Sequence, residues 1–203
     1  FFQRKLVLMI KSFEFYFDFI SPYSFLAHHE IKKIEKKETV KIKYKPILLG
    51  GLHNLHGIKA PAFIPSKAKH MIRDCKLLSE KNKIDFKFNS YFPIKTLNLM
   101  RGVLVAEEDD IKSYYIDGVF KAIWRDGLNL NDQNIADKII KNMNINPKTF
   151  FLRAASQSIK NLLKKETSEA FEKGIFGAPT FYINKKIFWG QDRLSFAIDE
   201  ASK

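Results

Sequence analysis

The sequence predicts an α/β chain whose sheet is split into two halves around a helical insertion, and three observations carry this. Strand and helix periods alternate as β-α-β at the front of the chain and as β-β-α at its end. Between the halves, from Ser66 to Lys173, the residues keep helical spacing with little strand character. Pro179 stands at the entry to the third strand, where a residue that cannot donate to a sheet ladder marks a special turn.

Taken in order, the first strand is the alternating aromatic run of residues 13–19, which leads into Ser21-Pro22-Tyr23-Ser24 and a helix over 25–37. Residues 40–46 alternate apolar and basic side chains and close on Pro46, giving a second strand and a β-α-β unit. Residues 52–65, rich in Gly, His and Pro, read as a loop. Helices are expected over 66–81, 95–108, 110–125 and 132–142, and from 147 to 173 with an interruption near Lys164. Asp109 and Asp110 precede an amphipathic run and suit its N-terminal cap. Residues 180–183, a turn at Asn184-Lys185 and residues 186–189 form a hairpin, and a helix over 192–201 follows Gly190. The implied division is a sheet domain of 9–52 with 174–203, an inserted helical domain of 53–173, and an N-terminal extension of 1–8 ahead of Met9.

With 203 residues, 45% of them hydrophobic, the chain can bury a sizeable core. Its net charge of +13, from 35 Lys+Arg against 22 Asp+Glu, is spread thinly along the chain and would concentrate small carboxylates near the surface. No helix-turn-helix, zinc or RNA-recognition signature accompanies that charge, so no specific nucleic acid is expected. Nor does any apolar run reach the length of a membrane span. The single cysteine, Cys75, has helical spacing with Ala68, Met71, Ile72 and Leu78, which places it in the core. One cysteine allows no internal disulfide and suits a reducing, cytoplasmic compartment. His53 and His56 lack a third ligand at metal-binding spacing, and His28 and His29 are adjacent helical positions that face different ways, so no metal is expected.

A strand, a Cys-x-x-Cys tetrapeptide and a helix make the redox site of thioredoxin-like proteins, and Ser21-Pro22-Tyr23-Ser24 resembles that site with both sulfurs replaced by hydroxyls. Disulfide chemistry is thereby removed. What stays is a hydroxyl at a helix N-terminus, where free N–H groups and the helix dipole favour a negative charge such as a bound thiolate. Ser21 followed by Pro22 is equally an ordinary N-cap with proline at the first helical position. Phe176-Gly177-Ala178-Pro179-Thr180 resembles the cis-proline turn that faces this helix in such folds. That turn would leave the Ala178 N–H and C=O unpaired, ready for the backbone of an extended peptide.

Residues 15–19 with Ser21 to Ser24, Phe176 to Thr180, and Trp189-Gly190-Gln191-Asp192-Arg193 together resemble three signatures of the 2-hydroxychromene-2-carboxylate isomerase and kappa-class glutathione transferase family. The resemblance runs from about Met9 over nearly the whole chain, and takes in Val119-Phe120-Lys121-Ala122-Ile123-Trp124 and residues 65–67. It implies a thioredoxin-like fold with an inserted all-helical domain, glutathione as cofactor, a small aromatic carboxylate as substrate and a homodimer. In the family reaction, glutathione thiolate adds to the conjugated chromene carboxylate, a bond rotates, and glutathione leaves unconsumed. Carried onto this chain, Ser21 is the catalytic residue that favours the thiolate. Ala178, beside Pro179, pairs with the cysteinyl backbone, Asp192 with Gln191 takes the γ-glutamyl end, and Lys67 reaches the glycyl carboxylate. Where the family has an asparagine nine residues before that lysine, Ile58 stands here, which leaves Asn54 as a replacement donor. Tyr23, Phe92 and Trp124, with Phe120, are candidates for the wall around an aromatic ring, the last three equally for core, and His70 for wall beside the glutathione loop. Two alternatives stay open: a kappa-class transferase acting on electrophiles, and a redox-inactive thioredoxin-like module that binds peptides.

Overall fold

In the computed structural model, which describes residues 11–35 and 40–203, the first strand β1 (Lys11–Phe17) buries a different set of side chains on each face. Phe13, Phe15 and Phe17 enter the main core, while Tyr16 turns the other way onto Ile47, Leu52, Ala170 and Ile175. A strand buried on both sides needs cover on both sides, and the chain supplies it with helices. On one face lie α1 (Pro22–Glu35) and the C-terminal α9 (Leu194–Ala201); on the other lie α2 (Leu49–Leu55) and α8 (Gln157–Glu172).

The sheet order is β2-β1-β3-β4, with β2 (Val40–Pro46) parallel to β1, and β3 (Thr180–Ile183) and β4 (Lys186–Trp189) antiparallel in turn. Aromatic pairs fix the register: Phe15 stacks on its partner Phe181 at 5.5 Å and meets Tyr44 edge-on at 5.2 Å. Between β2 and β3 all the regular structure is helical. It comprises α2, α3 (Pro65–Asn82), α4 (Leu97–Glu108), α5 (Lys112–Trp124), α6 (Gln133–Asn142), α7 (Pro147–Ala154) and α8. The core of this layer, including Phe120 and Trp124, is continuous with Phe15 and Phe17 of the sheet. The expected N-terminal extension, 1–8, lies outside the described residues. Among the described residues no helix is long and apolar enough to cross a membrane.

The strands and most helices fall where the sequence places them, with four corrections. β1 stops at Phe17 instead of Phe19, because the Ser21 N–H turns back to the Asp18 carbonyl at 3.0 Å. The expected loop over 52–65 contains the end of α2 and a 3-10 turn, Pro61–Phe63. The long terminal helix breaks at Ala155, not near Lys164, because the Ser156 side chain caps a new helix by accepting from the Ile159 N–H. Asp109 and Asp110 follow α4 instead of capping α5; Asp109 is held by Arg153 at 2.7 Å and Asp110 takes a positive φ of 57°. Cys75 is buried as expected, and burial pushes its thiol up to about 12.

His28 lies inside this fold between Tyr44, whose hydroxyl is 2.9 Å from Nδ1, and Asp117, 3.4 Å from Nε2. Burial pushes its imidazole below the ordinary value despite the carboxylate. The hydrogen bond from His28 in turn holds Asp117 well below the usual carboxylate range. Both shifts are satisfied by a neutral ring that donates from Nε2 and accepts from Tyr44. The unfolded chain takes up a proton at His28 near pH 6.5, the folded chain only at lower pH. Stability tied to the neutral ring is therefore present above that value and is lost as pH falls through the folded one. Thermal melts between about pH 7 and about pH 5 should show a steeper fall in Tm for the wild type than for His28→Gln. Parallel slopes would show that His28 is not the group responsible.

Candidate functional site

The turn from β1 into α1 delivers a buried hydroxyl. Ser21 Oγ accepts from the Ser24 N–H at 3.1 Å, the geometry of an N-cap, with Pro22 in the first helical position. The same oxygen donates to the Ala178 carbonyl at 3.0 Å, so the cap also faces the start of β3. The Ala178–Pro179 peptide is cis, as the sequence motif suggests. One detail is corrected: the Ala178 carbonyl is taken by Ser21 and is not free. The Ala178 N–H, by contrast, makes no hydrogen bond among the described residues.

The turn is braced on both sides. Thr180 Oγ1 donates to the Gly177 carbonyl at 2.7 Å, and the Gly190 N–H donates to the Pro179 carbonyl at 3.0 Å. Gly190 holds a φ of 112°, and a Cβ there would meet Asp192 Oδ1 at 2.6 Å, so glycine is required to turn the chain out of β4. Gly177 has a similar constraint, since a Cβ would come within 2.6 Å of Trp189 Nε1. Trp189 in turn packs on Phe176 with ring centres 5.1 Å apart.

Ser21 and Ala178 line a cavity of about 590 Å³, a size that suits a small organic ligand. Tyr23 and Phe92 form part of its wall together with Phe176 and Trp189, and α2 contributes Leu49 and His53. Among the described residues Lys59 and Lys67 are its cations, and no carboxylate lines it. The Tyr23 hydroxyl donates to Asp74 at 2.8 Å, outside the lining, and burial first and this bond second push the phenol's ionisation up. Burial and the neighbouring His56 push the His53 imidazole down, which favours a neutral ring in the wall. His56 itself donates from Nε2 to the Ile175 carbonyl at 2.8 Å. His70 also lines the cavity, where the sequence places it.

Of the residues singled out from sequence, Ser21, Tyr23, Lys67, Phe92 and Ala178 therefore share one cavity, and Pro179 is buried immediately behind it. Gln191 and Asp192 line a separate depression with Leu26 and Lys81, and Asp192 pairs with Arg193 at 3.3 Å. Asn54 faces another cleft, so it does not replace the missing asparagine, and Ile58 is what the cavity meets. Trp124 does not line the cavity either: it is 0% exposed, and its Nε1 donates to the Phe19 carbonyl at 2.8 Å. Phe120 is equally buried. Both are core, because the ring cluster around β1 fills the space behind the wall.

One residue at the site escaped the sequence reading. Asp18, 1% exposed, accepts from Thr96 Oγ1 at 2.6 Å, the Ile20 N–H at 3.1 Å and the Leu49 N–H at 2.8 Å. Burial pushes its carboxyl up, against the pull of the three donors. It ties the turn before Ser21 to the first residue of α2 and to the start of α4, which fixes the cavity's floor and one wall. The signal was a carboxylate between two phenylalanines at the end of a buried strand, where a charge needs several partners.

A mixed sheet of this order, with a capped helix N-terminus facing a cis proline and serines at both ends of the tetrapeptide, defines a thioredoxin-like protein whose site carries hydroxyls in place of thiols. Residues 13–200 match the DSBA-like thioredoxin domain, and the chain belongs to that family. Its relatives include the 2-hydroxychromene-2-carboxylate isomerase of Sphingobium xenophagum, 27% identical over 190 residues, which cover 93% of this chain and 96% of the relative. Glutathione S-transferase kappa 1 of Rattus norvegicus is 26% identical over 196 residues, covering 89% of this chain and 86% of its own. Among solved structures, that of a 2-hydroxychromene-2-carboxylate isomerase superposes with a TM-score of 0.84 at 22% identity over 94% of each chain. At that identity the last comparison speaks for the fold.

Proposed function

We propose that this chain is a glutathione-dependent isomerase acting on small aromatic carboxylates of the 2-hydroxychromene-2-carboxylate kind. The observation that carries the proposal is the buried Ser21 hydroxyl at the N-terminus of α1, in an apolar cavity without carboxylates and beside the unpaired Ala178 N–H. These residues fit a thiol tripeptide. A sulfur anion next to Ser21 gains from the helix dipole and from the hydroxyl, whose proton turns from the Ala178 carbonyl to the sulfur. No carboxylate lines the cavity among the described residues, and burial favours the uncharged form of Asp18 beneath its floor. The Ala178 N–H suits a peptide carbonyl, and Lys67 suits a terminal carboxylate. Asp192 and Gln191 line the separate depression beyond Trp189, so an ammonium end would meet Asp192 only by reaching past the Trp189 rim and competing with Arg193.

Bound glutathione would supply a thiolate able to add to a conjugated substrate and leave again, so that a bond relieved of double-bond character can rotate. The chain's own part is to hold the sulfur as an anion at Ser21, to exclude water with Phe92, Phe176 and Trp189, and to meet the substrate's ring with those same side chains. The relatives bear both isomerase and transferase names, which keeps a transferase acting on electrophiles as the second reading. Turnover of a chromene carboxylate against a chlorodinitrobenzene-type acceptor, with glutathione followed throughout, separates the two because isomerisation consumes none. Glutathione should raise Tm by mass action. Calorimetry that finds no uptake of glutathione at about millimolar concentration would overturn both readings, and a rise in Tm with an extended peptide instead would favour a peptide-binding module.

A further inference from the structure

α2 divides two hollows. Leu49, Gly50 and His53 face the cavity at Ser21, whereas Leu48, Gly51, Asn54 and Leu55 face a second cleft of about 630 Å³ closed by α4 and α8. The second cleft is lined by Arg101 of α4 and by Lys160 and Lys164 of α8, and like the first it contains no carboxylate among the described residues. Lys160 and Lys164 are one helical turn apart and so share a face. The nearby acids of α8 are engaged elsewhere, Glu166 with Lys45 at 2.7 Å and Glu169 with Lys165 at 3.7 Å. Among the described residues Arg101 bonds only the Asn98 side chain, through Nη1 at 3.2 Å, and its Nε is sealed from water without a partner there. A guanidinium half withdrawn from solvent with no anion beside it carries an uncompensated desolvation cost. The rest of the lining includes Leu55, Leu97 and Leu163, an apolar bed next to the three cations.

From this arrangement we infer that the cleft between α2, α4 and α8 is a binding site for a small organic anion, a carboxylate or sulfonate on an apolar body, distinct from the cavity at Ser21. The anion would pair with Arg101 and the α8 lysines while its apolar part lies on the leucines. Nothing in this depends on glutathione or on the reaction proposed above. It requires only a lone charged head, because the three cations line one cleft without a competing acid among the described residues, and a body larger than phosphate, because leucines form so much of the wall.

Calorimetric titration of the full chain with naphthoate tests the site. Lys67→Glu serves to silence binding at the Ser21 cavity, and Arg101→Gln and Lys164→Glu serve to weaken the cleft. Lys164 is exposed, so that variant retains the fold even if Arg101→Gln does not, and thermal melts verify it. Expected is a binding event that persists in Lys67→Glu, weakens by roughly tenfold in Lys164→Glu and in Arg101→Gln, and falls with added salt. No uptake of naphthoate by the wild type, an affinity unchanged in Lys164→Glu, or binding abolished by Lys67→Glu alone would each overturn the proposal.

Discussion

Replacing Ser21 by Ala is expected to lower kcat/KM of the glutathione-dependent reaction by about 10²- to 10³-fold, the usual cost of removing one donor to reacting charge, which the hydroxyl becomes once it turns from the Ala178 carbonyl to the sulfur. Affinity for glutathione should change far less, within roughly tenfold, because a neutral thiol gains little from the hydroxyl and a thiolate gains much. The acid limb of the pH–rate profile should move to higher pH, since the bound thiol would ionise later without the donor. The structure also assigns Ser21 a plain mechanical role, and the variant has to be read against it. Loss of the cap on the Ser24 N–H costs about 1 kcal/mol, and the Ala178 carbonyl is released at the same time. For a chain of this size that corresponds to a Tm lower by about 2–4 °C. Ser21→Thr restores an oxygen and should recover part of both losses. If Ser21→Ala melts lower but turns over as fast as the wild type, the hydroxyl is a cap only.

Local signals carried well from sequence to structure. The alternation of β1 and β2, the Ser-Pro start of α1 and the Ala178–Pro179 turn are short-range features with specific backbone requirements, and each is found in place. What the sequence concealed depends on partners far along the chain. α2 opens Leu49-Gly50-Gly51, a poor helix start, and its N-cap Leu48 makes no side-chain bond. It forms because the Leu49 N–H is satisfied by Asp18 and the Leu48 N–H by Thr167 Oγ1, 31 and 119 residues away. The same distance effect hid Asp18, whose function in holding the cavity floor exists only once α2 and Thr96 arrive. Trp124 shows the converse: an aromatic on an amphipathic helix has no mark in the sequence that separates wall from core, and packing decided for core.

That position of Trp124 makes Trp124→Ala a severely damaging core change, expected to destabilise the chain by about 3–5 kcal/mol. The indole packs with Phe86, Phe88 and Phe92 at ring distances of 6.0, 5.6 and 6.0 Å, so its removal leaves a hole that stiff rings on three sides cannot close. It also strips the donor from the Phe19 carbonyl, in the turn that carries Asp18 and Ser21. Trp124→Phe keeps most of the volume and loses only that bond, for an expected cost of about 1–3 kcal/mol. Chemical denaturation of the three proteins separates the cavity contribution from the hydrogen bond. Because Phe92 lines the cavity and rests on Trp124, both variants should raise KM for an aromatic substrate without Trp124 ever touching it. Phe92→Ala, by comparison, should raise KM at a smaller cost in stability, since Phe92 is only half-buried. A Trp124→Ala protein within about 1 kcal/mol of the wild type would mean the core re-forms around the gap, and the support of the cavity wall would then have to lie elsewhere.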